Sequence, residues 1–230
     1  MVRKVNSMAR QRMTGKQRRD QLIIVGRSVF AERGFDGASV EEIASRAGVS
    51  KPVVYEHFGG KEGLYRAVIE REMEHLHTAI VGAIQEGRWR ERIERGILAL
   101  LTYVEEETDG FIILAHGQLP GEDRTYSTIL NRVTAQVSYL LAIAFEHRGL
   151  DEQAATLYGQ ALVGTVSNTA LWWLDERTPD KHSAARHIAN LCWNGLRGLE
   201  ALPHVTDRTR EQADTSHVQR GETEKAKKDE

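Results

Sequence analysis

The sequence predicts an all-α protein, with a three-helix N-terminal unit followed by a larger helical body. Three observations carry this. Apolar residues recur at three- and four-residue spacing along most of the chain. Four prolines, at 52, 120, 179 and 203, punctuate that pattern without interrupting it. Glycines fall where one helical run gives way to the next, as expected of residues that terminate helices with positive φ.

Leu22, Val25, Val29 and Phe30 share one helical face, and Arg33-Gly34-Phe35-Asp36-Gly37 follows as a glycine-rich turn, so the first helix is read over 16–33. Ser39 with Glu42 three residues on has the form of a capping box, opening a helix whose apolar side is Ile43, Ala44 and Ala47. Gly48 ends it. Ser50 is placed to cap the next helix, with Pro52 in the first turn, where a missing N–H costs nothing. That helix, 51–58, is about two turns long and would be marginal alone. Val54 and Phe58, four apart, brace it and leave Lys51, Val53, Tyr55 and His57 beside or away from the core. Gly59-Gly60 then breaks the chain before a long helix opens at Lys61.

Helix, glycine turn and helix in this order form a helix-turn-helix pattern, whose second helix lies in a DNA major groove. A capped helical hairpin is the bland alternative, and charge weighs against it. Residues 1–70 carry a net +5 and the remainder −7, a basic head on an acidic body. Residues 1–19 hold Arg3, Lys4, Arg10, Arg12, Lys16, Arg18 and Arg19 with no acid. Such an arm is suited to phosphates or a minor groove, or else to solubilising the chain.

On Phe30, Gly34, Phe35, Ile43, Ala44, Ala47, Gly48, Val49, Ser50, Tyr55, His57, Phe58, Lys61 and Leu64, the stretch from about Arg19 to Ile69 resembles the N-terminal domain of the TetR family of bacterial transcriptional regulators. The resemblance implies a helix-turn-helix DNA-binding domain joined to a larger helical ligand-binding and dimerisation domain. It implies base or groove contacts from Lys51 and Val53, phosphate contacts from Tyr55, His57 and Lys61, and an interface completed by Ser39, Val40, Ser50 and Pro52. Glu41 is a departure, since some relatives carry a base-reading arginine there and DNA repels a carboxylate.

The body is read as helices at about 61–86, 89–107, 109–116, 122–148, 151–177 and 180–201, with breaks at Gly87, Asp109-Gly110, the Gly117–Gly121 loop, Gly149 and Pro179. The domains expected are a basic arm over 1–15, the DNA-binding domain over 16–62, the ligand and dimerisation domain over 63–202 and a polar tail over 203–230. Gly159, Gly164, Ser167 and Ala170 give 151–177 a small-residue side, and this helix with 180–201 is expected to form half of a four-helix homodimer interface. A two-fold dimer predicts a palindromic operator.

A small-molecule cavity is expected among Tyr103, Phe111, His116, Tyr139, Phe145, Asn168, Trp172 and Trp193, large apolar walls with a few polar groups. The same residues describe an ordinary core. The resemblance extends to actinobacterial relatives that respond to fatty acyl-CoA, so a long-chain acyl ligand is the expectation, with Arg88, Arg90, Arg92 and Arg95 around Trp89 able to face an anionic headgroup.

Other function classes find less support. His75 and His77 are two apart and diverge on a helix, and no zinc-protease, nucleophile-elbow or phosphate-loop motif is present. No metal or cofactor is expected. Cys192, the one cysteine, excludes an internal disulfide. No run approaches the ~18 apolar residues of a membrane span, so a cytoplasmic protein is expected. A DNA-bound adaptor or architectural protein with no inducer remains the alternative to a ligand-responsive repressor, and a hollow body distinguishes the two.

Overall fold

A computed structural model describes residues 13–116, 125–201 and 203, with no side-chain detail for 125–129. The basic arm before residue 13, the Gly117–Gly121 loop, the expected helix start at 122–124 and the polar tail lie outside the described residues. The chain divides into one compact unit, Met1–Arg197, and a second, Gly198–Glu230, and every described helix belongs to the first.

The described elements are all helical: α1 (Gly15–Gly37), α2 (Val40–Ala47), α3 (Lys51–Phe58), α4 (Lys61–Ile84), α5 (Trp89–Glu106), α6 (Thr108–His116), α7 (Thr125–Arg148), a 3-10 turn (Glu152–Ala154), α8 (Ala155–Glu176) and α9 (Lys181–Arg197). α1 starts earlier than expected because Thr14 and Gln17 form a complete capping box. Its helical geometry breaks at Gly34 (φ 68°), as the glycine turn predicts. The expected box at α2 is only half formed. Ser39 Oγ accepts from the Glu42 N–H at 3.1 Å, but the Glu42 carboxylate turns to Arg46 at 2.6 Å.

One contiguous core runs from Leu22 and Val29 through Leu64, Leu76 and Leu101 to Trp173 and Ala189. Fully burying each such side chain contributes about 1.5–3 kcal/mol. α4 is its axle. The near end of α4 meets α1 through Gly26, where a Cβ would sit 3.1 Å from Leu64, and through the ring cluster of Phe30, Phe35 and Tyr65. Its far end packs on α5 and α7. The boundary expected at 62/63 therefore falls in the first turn of a helix that serves both halves.

Candidate nucleic-acid interface and apolar cavity

α3 is held from three sides. Gly48 adopts the left-handed conformation (φ 65°), and the Val49 N–H reaches back to the Ala44 carbonyl at 2.9 Å, closing α2 and turning the chain. Gln21 of α1 donates to the Ala47 carbonyl at 3.1 Å, tying the end of α2 to α1. At the far end, Gly63 of α4 lies against the Phe58 carbonyl so closely that a Cβ would come within 1.9 Å of it. Val54 fills the core beneath, and Arg19 lies 4.7 Å over the Phe58 ring.

This scaffold presents Ser50, Lys51, Pro52 and Tyr55 to solvent, with Val53 and His57 half-buried beside them. Tyr55 is 47 % exposed, a large apolar ring left outside. Ser50 stands at the N-cap but makes no capping bond with its hydroxyl. Lys51 pairs with Glu41, and each raises the charge preference of the other: hydrogen bonding lowers the Glu41 carboxyl and raises the Lys51 ammonium from their ordinary values. The departure at Glu41 thus holds Lys51 beside the α3 surface.

Three of the expected interface residues are placed otherwise. Val40 is 6 % exposed and belongs to the core. The Ser39 hydroxyl is engaged in capping α2. Lys61 donates its ammonium to the carbonyls of Phe35 (2.9 Å), Ala38 (3.2 Å) and Asp36 (3.5 Å) and lies 4.4 Å over the Phe35 ring. The turn after α1 leaves carbonyl groups without helical partners, and a cation there satisfies them.

The body contains an apolar cavity of about 100 Å³ among α4, α5, α7, α8 and the end of α9. Leu76, Ile80 and Ile84 of α4, Ile93, Ile97 and Leu100 of α5, and Leu130, Val133 and Val137 of α7 form most of its wall, with Val163 and Val166 opposite. Trp89 and Arg92 border it, the guanidinium 5.7 Å over the indole and donating to the Gly87 carbonyl at 2.9 Å.

None of the eight residues expected around a cavity lines this one. Phe111 and Phe145 fill the core, the latter edge-on to Tyr158. Tyr103 is buried and donates to Glu72 at 2.6 Å. His116, Tyr139, Asn168 and Trp172 are exposed, and Trp193 is half-buried. The buried rings of Tyr103, Phe111 and Phe145 fill space, the exposed residues face solvent, and the void persists where aliphatic side chains fall short of one another. The small-residue side of α8 also differs from expectation. Gly159 is pressed on Ser138 of α7, and Ser167 and Ala170 face inward. The exposed side of α8 instead carries Leu157 (69 % exposed), Ala161, Thr165, Asn168 and Trp172 (54 %), and that of α9 carries His187, Leu191 (67 %) and Asn194. Gly164 and Gly195 open onto empty space beside them.

Sequence reasoning missed Gly63, the Thr14–Gln17 box and the aliphatic cavity wall. The box had a readable signal in Thr14-x-x-Gln17. The wall is an ordinary heptad-like stripe and carries none. Among the described residues no group of three or more His, Cys, Asp or Glu is arranged to hold a metal, and no helix is long and apolar enough to cross a membrane.

Comparison with known proteins agrees with this geometry. Residues 22–68 match the family described as bacterial regulatory proteins, tetR family, and residues 89–195 match the tetracyclin repressor-like C-terminal domain. The HTH-type transcriptional activator FasR of Mycolicibacterium smegmatis is 30 % identical over 80 % of this chain and 85 % of its own. The repressor NemR of Escherichia coli is 30 % identical over 45 % of this chain and 48 % of its own. A TetR-like transcriptional regulator from Rhodococcus sp. RHA1 superposes with a TM-score of 0.64 at 26 % identity, over 82 % of this chain and all of that one.

Proposed function

The chain belongs to the TetR family of ligand-responsive transcriptional regulators, and from that premise we propose that it is a cytoplasmic homodimeric repressor that grips a palindromic operator through α3 and answers to an apolar, long-chain acyl ligand in its body. The observation that carries the reading is that α4 serves both sites. Its first turn abuts the Phe58 carbonyl at the end of α3, and its last three turns supply Leu76, Ile80 and Ile84 to the cavity.

On the DNA side, Lys51, Pro52 and Val53 face bases, and Ser50, Tyr55 and His57 face phosphates. The Lys51–Glu41 pair is exposed and contributes little in water, so phosphates displace it at low cost. The exposed apolar stripes of α8 and α9, with open glycines between them, support a helical dimer interface that sets two copies of α3 about 34–36 Å apart on one DNA face. Introducing a charge at Leu191 or Trp172 (Leu191→Glu, Trp172→Glu) should yield a monomer by sedimentation and abolish tight operator binding.

On the ligand side, the walls are aliphatic and Arg92 supplies a cation at the border, a pairing that suits a hydrocarbon tail with an anionic head. The cavity of about 100 Å³ is smaller than the ~300–1,000 Å³ of drug-sized ligand pockets. A long chain therefore enters only if helices part. Swinging a population from 1:99 to 99:1 takes about 5.5 kcal/mol of differential binding, the yield of about 220 Å² of apolar surface at ~25 cal/mol per Å². A second reading, activation, is favoured by the name of the FasR relative, and operator position relative to the promoter decides between them.

The test is mobility shift on DNA upstream of the chain's own gene at two salt concentrations, with palmitoyl-CoA as the probe. A specific shift that the probe alters supports the whole reading. A specific shift indifferent to a range of acyl chains removes the ligand class and favours the adaptor alternative, and no specific shift on any flanking promoter overturns the operator.

A further inference from the structure

Among the described residues, Glu72 of α4 is the one buried carboxylate, 2 % exposed. Burying an ionised group is costly unless it is paired and hydrogen-bonded. Here it is both. Tyr103 of α5 donates its hydroxyl to Oε2 at 2.6 Å, and Arg27 of α1 approaches Oε1 at 3.6 Å. The same guanidinium bonds Glu107, the cap residue of α5, at 2.6 Å. Space for the cluster is kept by Gly110 of α6, where a Cβ would fall 2.0 Å from Glu72 Oε2 and 2.7 Å from the Tyr103 hydroxyl. Burial opposes the Arg27 charge, but the Glu72 and Glu107 carboxylates outweigh it and raise that guanidinium above its ordinary value. Burial and then the Glu72 bond push the Tyr103 phenol well up.

Position is what gives the cluster meaning. Arg27 lies on α1, the helix that carries α2 and α3 through Gln21 and the core. Glu72 stands one turn before Leu76 on α4, and Tyr103 one turn after Leu100 on α5, and both Leu76 and Leu100 line the cavity. Arg27 is thus fastened at once to the two helices that form facing cavity walls, one turn from the cavity. Apolar contacts slide at little cost, whereas a hydrogen bond to a charged group has a sharp optimum of distance and angle. The Tyr103–Glu72 bond is buried, and the Arg27–Glu107 bond lies at the half-buried edge of the cluster. We propose that the Arg27–Glu72–Tyr103–Glu107 cluster is the coupling element of this regulator: a change in the α4–α5 spacing at the cavity reaches α1, and so α3, through this clamp. The proposal rests on the ligand-responsive reading above.

A wedge that needs neither operator nor ligand tests it. Gly96 of α5 lines the cavity, and a Cβ there would lie 2.7 Å from Ile84 of α4, so Gly96→Val pushes α5 off α4; Gly96→Ala is the gentler form should valine prevent folding. Hydrogen exchange of the α1–α3 amides is read in the parent chain and in Tyr103→Phe and Glu107→Gln, each with and without the wedge. The wedge should speed exchange across α1–α3 by about fivefold or more in the parent, the range of ordinary allosteric coupling, and by under about twofold in either clamp variant. Equal acceleration in all backgrounds, or none in the parent, overturns the clamp and leaves the cluster a mere strut. Mobility shifts on the same proteins separate the two readings: if no protein shifts promoter DNA while exchange follows the expected pattern, the regulator reading fails and the clamp stands.

Discussion

The head, α1–α3, and the body, α4–α9, are built from the same kind of helix, but among the described residues only the body encloses an apolar cavity. Where the head meets α4, Gly63 leaves no room for a methyl group against the Phe58 carbonyl and Gly26 little against Leu64, and left-handed Gly48 and Gly59 close the two short helices. The body has contacts as close at Gly110 and Gly159, but its helices also meet around aliphatic side chains that stop short and leave a cavity. A surface that must match DNA gains from rigidity, since a loose α3 loses its geometry against a fixed duplex. A pocket that admits a ligand larger than itself, as proposed for this cavity, would gain from seams that can part.

The comparison is most sharply broken or upheld by a pair of truncations. Leu64, fully buried at the head junction, and Leu100, on the cavity wall, are both buried leucines. Leu64→Ala should cost about 2–5 kcal/mol, the range for a leucine in a close-packed site, while Leu100→Ala should cost about half as much, because it borders space already empty. Urea melts of the two variants decide it. Equal costs would mean that the cavity collapses in solution.

Gly63→Ala comes next. The new methyl group meets a backbone carbonyl, which cannot rotate away, so α3 must shift. The expected cost is about 1–3 kcal/mol, with a larger loss of operator affinity than of stability, read by thermal melting beside mobility shift. Parallel loss in both would show that α3 tolerates displacement and that the head is less rigid than its contacts indicate.

The same contrast explains what the sequence makes legible. The boundaries of α2 and α3 follow from Ser39, Gly48, Pro52 and Gly59, whose chemistry acts within four residues, and these helices stand where they were expected, although the Ser50 hydroxyl does not cap α3. The exposed set of Lys51, Pro52 and Tyr55 follows from them. Lys61 and Val40 did not follow, because their partners lie far off in sequence: Lys61 meets carbonyls 23 to 26 residues away, and Val40 is buried by neighbours from other helices. The cavity is the extreme case. It is an absence shared by five helices, and the aliphatic residues around it read like any core stripe. Aromatic residues such as Trp172 drew attention by size and proved to lie on the outer face of α8.

Lys61→Met separates a local role from a family resemblance. The ammonium now satisfies carbonyls at the end of α1, so its loss should cost about 1 kcal/mol, less than a buried charged donor because the site is half open. The dependence of operator affinity on salt should keep its slope. A slope reduced by about one would show that Lys61 leaves the turn to hold a phosphate.

The smallest effect concerns the outer seam of the head, where charge replaces apolar contact. Arg46 of α2 bonds Glu32 of α1 at 2.8 Å through each terminal nitrogen, and Arg46, then Ser28, lower the Glu32 carboxyl to about 2 from its ordinary 4.5. A carboxyl whose folded value is depressed adds stability that is full above its unfolded value and is lost as pH falls through the folded one. The seam's contribution should therefore be intact above pH 4.5 and fade from there toward pH 2. Since both side chains are exposed, the gap in melting temperature between the parent and Glu32→Gln should be slight at neutral pH. It should narrow through that acid window, while the cavity-wall variant Leu100→Ala keeps its own gap, having no charge to titrate. A Glu32→Gln gap that persists unchanged below pH 4.5 would mean that the seam rests on packing after all, and that head and body differ less than their contacts indicate.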